Sequence, residues 1–152
     1  MKILVASDHR GLALKEAAKR WLQQQKILFE DYGTDARTSV DYPDFAARVA
    51  TEVARHPEEV LGVLFCGTGF GMAIAANKVP GVRAVACDQE GQAVLSRQHN
   101  NTNVIAMGEL YVAPDKVAGI LQAWLQASFQ GGRHKKRVDK IAALEQQADT
   151  NQ

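Results

Sequence analysis

Leu61-Gly-Val-Leu-Phe-Cys66, followed by Gly67-Thr-Gly-Phe-Gly71 and Met72-Ala-Ile-Ala-Ala-Asn-Lys78, decides how the rest of the chain is read. A short apolar run ends in a cysteine, three glycines follow at alternate positions, and a helical pattern then begins. This order predicts a buried strand, a tight turn of exposed backbone N–H groups, and the start of a helix. Such a turn attracts anions, and a cysteine at its edge sits in a field that favours thiolate. The junction is suited to making and holding negative charge.

Outward from it, strands and helices alternate. Residues 3–6 are apolar throughout and read as a first strand covered on both faces. The polar group Ser7-Asp8-His9-Arg10-Gly11 leads to a helix carrying Leu14, Ala17, Ala18, Trp21 and Leu22 at helical spacing. Residues 27–29 resume a strand, closed by Tyr32-Gly33, and residues 34–42 read as an irregular surface stretch. Pro43 suits the first turn of a helix whose buried stripe is Phe45, Val49 and Val53. After the central strand, Pro80-Gly81 turns into a strand over 82–87, and residues 89–98 are helical with Ala93, Val94 and Arg97 on one face. The run His99-Asn-Asn-Thr-Asn103 opposes helix, because Asn and Thr compete for backbone bonds.

Residues 104–107 form a fifth strand, and Pro114 opens a helix carrying Val117, Ile120, Leu121, Trp124 and Leu125. Gly131-Gly132 breaks it. A last helix from about Arg133 carries Val138, Ile141, Ala142 and Leu144, and residues 146–152 form a polar tail. Five alternations predict a Rossmann-like three-layer α/β/α sandwich on a five-stranded parallel sheet, as one domain over residues 1–145.

The 152 residues, 46% hydrophobic and 23% charged with a net charge of +1, are those of a soluble globular chain. That charge gives no overall sign of a nucleic-acid or membrane partner. The apolar start is broken by Ser7-Asp8-His9-Arg10, which argues against secretion. Cys66 and Cys87 make neither a disulfide framework nor a zinc spacing, so a cytoplasmic location is expected.

In folds of this class ligands lie beyond the carboxyl ends of the strands. The groups placed there are Asp8-His9, the Cys66 loop, Cys87-Asp88 and Gly108-Glu109, with His99-Asn100 leading to the fifth strand. A lone cysteine is usually a core residue. Its place before an N–H-rich turn makes Cys66 a candidate base or nucleophile, whereas Cys87, with no glycine loop after it, reads as structural. The loop Gly67-x-Gly69-x-Gly71 departs from the dinucleotide fingerprint G-x-G-x-x-G, since Met72 holds the third-glycine position. Its N–H groups suit a phosphate or a catalytic oxyanion, and Thr68 adds a hydroxyl. Arg133 and Arg137 share a helix face and suit one phosphate; a nucleic-acid patch lacks the aromatic interleaving it would need.

The motifs Asp8-His9-x-Gly11, Asp41-Tyr-Pro43, Cys66-Gly-Thr-Gly-x-Gly71, Ala75-Ala-Asn-Lys78, Ser96-Arg-Gln-His-Asn100 and Gly131-Gly-Arg-His134 with Arg137 resemble the type B ribose-5-phosphate isomerases. That family also includes the subunits of galactose-6-phosphate isomerase, and the resemblance runs from about residue 3 to residue 145. It implies an aldose–ketose isomerase without metal or cofactor that interconverts ribose 5-phosphate and ribulose 5-phosphate. Cys66 would be the base, Thr68 would assist proton traffic, and the N–H groups of Gly67, Gly69 and Gly71 would hold the enediolate. His99 would open the sugar ring, Asp8 and Asn100 would hold hydroxyls, and His9, Arg133 and Arg137 would bind phosphate. It also implies a homo-oligomer, dimer or dimer of dimers, with shared sites and the C-terminal helix packed on a partner subunit. The alternatives are an isomerase of a six-carbon or modified sugar phosphate, and a nucleotide-binding module without chemistry.

Overall fold

A computed structural model describes residues 1–150, so the last two residues of the expected tail lie outside the described residues. The strands are β1 (Lys2–Ser7), β2 (Phe29–Asp31), β3 (Val60–Cys66), β4 (Ala84–Ala86) and β5 (Val104–Gly108). The helices are α1 (Leu12–Gln24), α2 (Tyr42–Arg55), α3 (Phe70–Ala76), α4 (Glu90–Asn100), α5 (Val117–Gln126) and α6 (Arg133–Thr150), with a 3-10 turn at Pro114–Lys116. All five strands are parallel, in the order β2-β1-β3-β5-β4. The three-layer α/β/α sandwich expected from the alternation is the fold observed.

β3 lies at the centre and is buried along its whole length. Its alternate residues feed the two halves of the core: Leu61, Val63 and Phe65 pack with α1 and α5, and Leu64 and Cys66 pack with α2 and α3. The period of two thus determines that Cys66 faces the α2/α3 layer. Several boundaries shift: the strand expected over 82–87 is Ala84–Ala86, and the last helix continues to Thr150 through most of the expected tail. The second strand starts at Phe29, because Lys26 takes a left-handed φ of 57° and delays the extended run, leaving Leu28 exposed. The helix expected to stop at Gln98 runs on to Asn100; Asn101, at φ 47°, ends it, its N–H donating to Arg97 O and the Thr102 N–H to Ser96 O.

α4 is pinned by a buried polar group. Ser96 Oγ and Thr102 Oγ1 lie 2.9 Å apart, and Trp124 Nε1 donates to Thr102 Oγ1 at 2.9 Å. This fixes where His99 and Asn100 leave the helix.

Lys15, fully buried on α1, was not singled out by the helical pattern. Its ammonium donates to Asp31 Oδ1 (2.9 Å), Thr34 O (2.5 Å) and Asp35 Oδ1 (3.2 Å), tying the end of β2 and the loop after it to the core. Burial acts to raise the Asp31 carboxyl, but hydrogen bonds from Lys19, Lys15 and the Gly33 N–H outweigh it and hold the group below 3.8. A carboxylate of that kind stabilises the fold above its unfolded pKa, and the gain is lost as pH falls through the depressed value. Lys15→Met should therefore cost about 2 kcal/mol in urea unfolding at pH 7, because Asp31 keeps Lys19 and the Gly33 N–H but loses a charged hydrogen bond, and Thr34 O loses its donor. The gap from wild type should narrow in acid, below the ordinary carboxylate range.

Candidate active site

The carboxyl end of β3 is held from both neighbours. Asp8 N–H donates to Phe65 O (3.1 Å), Glu109 N–H to Cys66 O (3.0 Å), and Leu110 N–H to Gly67 O (3.0 Å). The loop after Cys66 turns back over its own sulfur: Gly69 N–H donates to Cys66 Sγ at 3.1 Å. Gly69 has φ 81°, and an added Cβ would lie 3.1 Å from the backbone of Met107, so conformation and space both select glycine. Phe70 N–H donates to Thr68 Oγ1 at 3.2 Å, which uses a lone pair and leaves the hydroxyl proton free to be donated. The N–H groups of Gly67, Thr68 and Gly71 have no partner among the described residues. Gly67 is buried, where an unpaired N–H is uncommon, so its donor is reserved for something else.

The loop thus holds one N–H on the Cys66 sulfur and three N–H groups without a partner among the described residues. α3 contributes little dipole, being only seven residues long. The Tyr42 ring, at the start of α2, lies over Gly71, where an added Cβ would come 2.5 Å from its Cζ. Tyr42 thus closes one side of the loop. Only the Asp41-Tyr42-Pro43 motif signalled it in the sequence.

Asp8 and His9 join this group from the end of β1. Asp8 is buried, and its Oδ1 accepts N–H bonds from Arg10 (2.9 Å) and Gly11 (3.1 Å). Much of its work is thus to shape the β1–α1 turn. Val40 N–H donates to His9 Nδ1 at 3.2 Å. The acceptor nitrogen is fixed by that bond, so the ring carries its proton on Nε2.

The other expected residues form a second group. His99 and His134 stack with centroids 4.2 Å apart and planes 9° from parallel. Arg133 and Arg137 flank His134 on the first turns of α6. Burial of the His134 ring, then the charges of His99, Arg133 and Arg137, hold its pKa below 6.5. Asn100 lies in a groove between α4 and α6 with Asn77, Arg83, Ile141 and Leu144. This group does not meet Cys66 within one chain. α4 runs back against the strands, so His99 lies near the start of β5 and Cys66 beside its end. A five-residue strand separates them by roughly 15 Å at ~3.3 Å per residue.

Cys87, at the end of β4, lines a different cleft of about 330 Å³ with Thr68, Phe70, Asp88, Gln92 and Tyr111. Burial, and secondarily Asp88, push its thiol up to about 11. No helix among the described residues is long and apolar enough to cross a membrane.

The parallel α/β sheet with a cysteine and a glycine loop at the carboxyl end of its central strand has the layout of an α/β protein whose site lies beyond the strand ends. The family described as Ribose/Galactose Isomerase matches residues 3–141, and the chain belongs to it. Ribose-5-phosphate isomerase B of Escherichia coli is 44% identical over 145 residues, covering 95% of this chain and 97% of the relative. D-erythrulose-4-phosphate isomerase of Pectobacterium atrosepticum is 36% identical, covering 97% of each. The crystal structure of ribose-5-phosphate isomerase B from Mycoplasma genitalium with bound ribulose-5-phosphate superposes with a TM-score of 0.92 at 41% identity, covering 95% of this chain and 96% of the other.

The two cysteines should separate chemically. In a Cys66→Ala variant, the remaining Cys87 should react slowly with a thiol reagent at neutral pH, about tenfold faster per pH unit until about 11. A fast, pH-independent reaction near neutrality would contradict a buried, protonated thiol.

Proposed function

We propose that the chain interconverts D-ribose 5-phosphate and D-ribulose 5-phosphate through a cis-enediolate, with Cys66 as base, at a site completed by a second copy of the chain. The observation that carries this reading is the Cys66 sulfur, which accepts Gly69 N–H at 3.1 Å and opens a loop whose Gly67, Thr68 and Gly71 N–H groups have no partner among the described residues. A hydrogen bond to sulfur is stronger to thiolate than to thiol. The thiolate removes the proton from C2 of the open-chain aldose and returns it to C1. As the C2 proton leaves, negative charge develops on O1, the former aldehyde oxygen of the C1–C2 enediolate, where Gly67, Thr68 and Gly71 offer donors. Each well-aimed donor of this kind contributes about 3 kcal/mol to the transition state.

The Thr68 hydroxyl is free to pass a proton between the two sugar oxygens. Asp8 keeps a second carboxylate oxygen for a sugar hydroxyl, and His9 presents Nε2–H to the phosphate. His99 opens the furanose ring, Asn100 holds a hydroxyl, and Arg133 and Arg137 clamp the phosphate, all from the partner. The separation of the two groups within one chain supports the shared site. So do the apolar side chains left exposed on both: Tyr42, Phe70 and Ile74 at the loop, Ile141 and Leu144 on α6. α6 is thus the helix suited to pack on the partner. The relative named for erythrulose 4-phosphate indicates that this scaffold serves sugars of other lengths. A six-carbon or modified sugar phosphate is accordingly the second substrate class to assay.

A coupled assay on five- and six-carbon sugar phosphates tests the reading. Cys66→Ala should lose at least about 100-fold in kcat with its thermal transition intact; retained turnover would remove Cys66 from the base role. Arg137→Ala should raise KM and leave kcat nearly unchanged, since phosphate binding is shared by ground and transition states. Sharing is tested by mixing defects. Cys66→Ala and His99→Ala are each inactive alone, but co-expressed they should recover about a quarter of wild-type activity, because half the pairs are hybrids with one intact site. No recovery would place His99 and Cys66 in the same protomer's site, or His99 in none.

A further inference from the structure

We propose that Arg10 is a further substrate contact: its guanidinium, held across Gly67 by Glu109, takes an anionic oxygen of the sugar phosphate at the catalytic loop. The proposal rests on the isomerase reading above. Its observations are separate from those that carry that reading.

Arg10 leaves the main chain at a fixed point. Asp8 Oδ1 accepts the N–H groups of Arg10 and Gly11, at 2.9 and 3.1 Å. Gly11 itself lies directly on the backbone of Phe65, with no room for a Cβ. The side chain then crosses the Cys66 loop. A Cβ added to Gly67 would lie 3.0 Å from Arg10 Nη1 and 3.2 Å from Cζ, so the absence of a side chain at Gly67 is what lets the guanidinium lie flat there. Beyond it, Nε donates to Glu109 Oε1 at 2.7 Å. Glu109 is fixed in turn by its N–H bond to Cys66 O at 3.0 Å. Both ends of the ion pair are therefore anchored to the backbone that carries the candidate base.

As structural reinforcement the pair contributes little. Its side chains are 47% and 37% exposed, and exposed ion pairs gain little over their solvated partners. Its geometry does something else. Glu109 uses only the Nε–H of the guanidinium, and the N–H groups of both Nη atoms have no partner among the described residues. A planar cation with its orientation set and its fork free is suited to an oxyanion. It stands beside Gly67, whose own N–H is also unpaired. Two oxygens of a sugar phosphate supply that charge: the phosphate, and the enediolate formed during turnover.

The experiment uses the full chain as wild type, Arg10→Met, Arg10→Lys and Glu109→Gln. It measures ribose 5-phosphate kinetics, the competitive inhibition constant of inorganic phosphate, calorimetric binding of inorganic phosphate, and melting temperature. Arg10→Met keeps a stem over Gly67 and removes the charge. It should lower kcat/KM about tenfold without changing the melting temperature, and Arg10→Lys should recover part of the loss. A rise in KM with a loss of phosphate affinity places the contact on the phosphate. A loss in kcat at unchanged phosphate affinity places it on the enediolate. Glu109→Gln, which weakens the ion pair and keeps the guanidinium, should retain most activity.

Kinetics and phosphate affinity within twofold of wild type in Arg10→Met would overturn the proposal. So would a Glu109→Gln loss as large as that of Arg10→Met, which would make the pair a strap. If wild type turns over no sugar phosphate, the isomerase reading fails by itself. Arg10 is then judged on inorganic phosphate binding, where loss in Arg10→Met supports it and an unchanged affinity overturns it.

Discussion

The last carbonyls of β3 are the constraint on which the rest of the structure depends. Phe65, Cys66 and Gly67 leave the sheet with their oxygens accepting N–H groups from Asp8, Glu109 and Leu110, so three loops meet on one short piece of backbone. Ladder bonds on both sides and full burial keep the strand below them from sliding. A strand slip of one residue would turn Cys66 into the α1/α5 layer and Phe65 toward the loop. The chemistry of the sulfur is therefore a consequence of strand register before it is a consequence of anything local.

This also explains which parts were legible in the sequence. The central strand, its cysteine and the glycine loop were readable because each is a local pattern: an apolar run, a breaker, a turn. The parallel three-layer fold followed from the alternation. The start of β2 was not readable, since Ile27-Leu28-Phe29 carries a strand composition and only the left-handed Lys26 delays it. Lys15 was hidden because its partners Asp31, Thr34 and Asp35 are distant in sequence, and a lysine on a helix reads as solvated. Among the site residues, Cys66, Thr68, Asp8 and His9 converge at the strand ends as expected. His99 and Asn100 do not join them, because the direction of α4 places both at the other end of the layer, and Arg133 and Arg137 start α6 beside His134, which stacks on His99.

That direction is not an accident of packing. A helix connecting two parallel strands must run antiparallel to both, so its last residues arrive where the next strand begins. His99, at the end of α4, is thereby excluded from its own chain's loop at Cys66. The proposed shared site brings the two groups together through a second copy. In that proposal, the exposed apolar side chains around the loop and along α6 are the surface covered.

The two cysteines show how strand order assigns function to identical chemistry. Both end a strand, both are buried, and on composition alone either could be the reactive one. The chain places β5 between β3 and β4, so the loop after β5 lies beside Cys66 and supplies the N–H groups of Glu109 and Leu110 to its turn. β4 is displaced to the sheet edge and reduced to three residues. Cys87 follows it without a glycine turn, and burial there opposes ionisation, pushing the thiol up to about 11. Cys66 has a loop N–H on its sulfur at 3.1 Å, and the N–H groups of Gly67, Thr68 and Gly71 in the same loop have no partner among the described residues. The difference between a structural thiol and a candidate base here is one position in the order of strands.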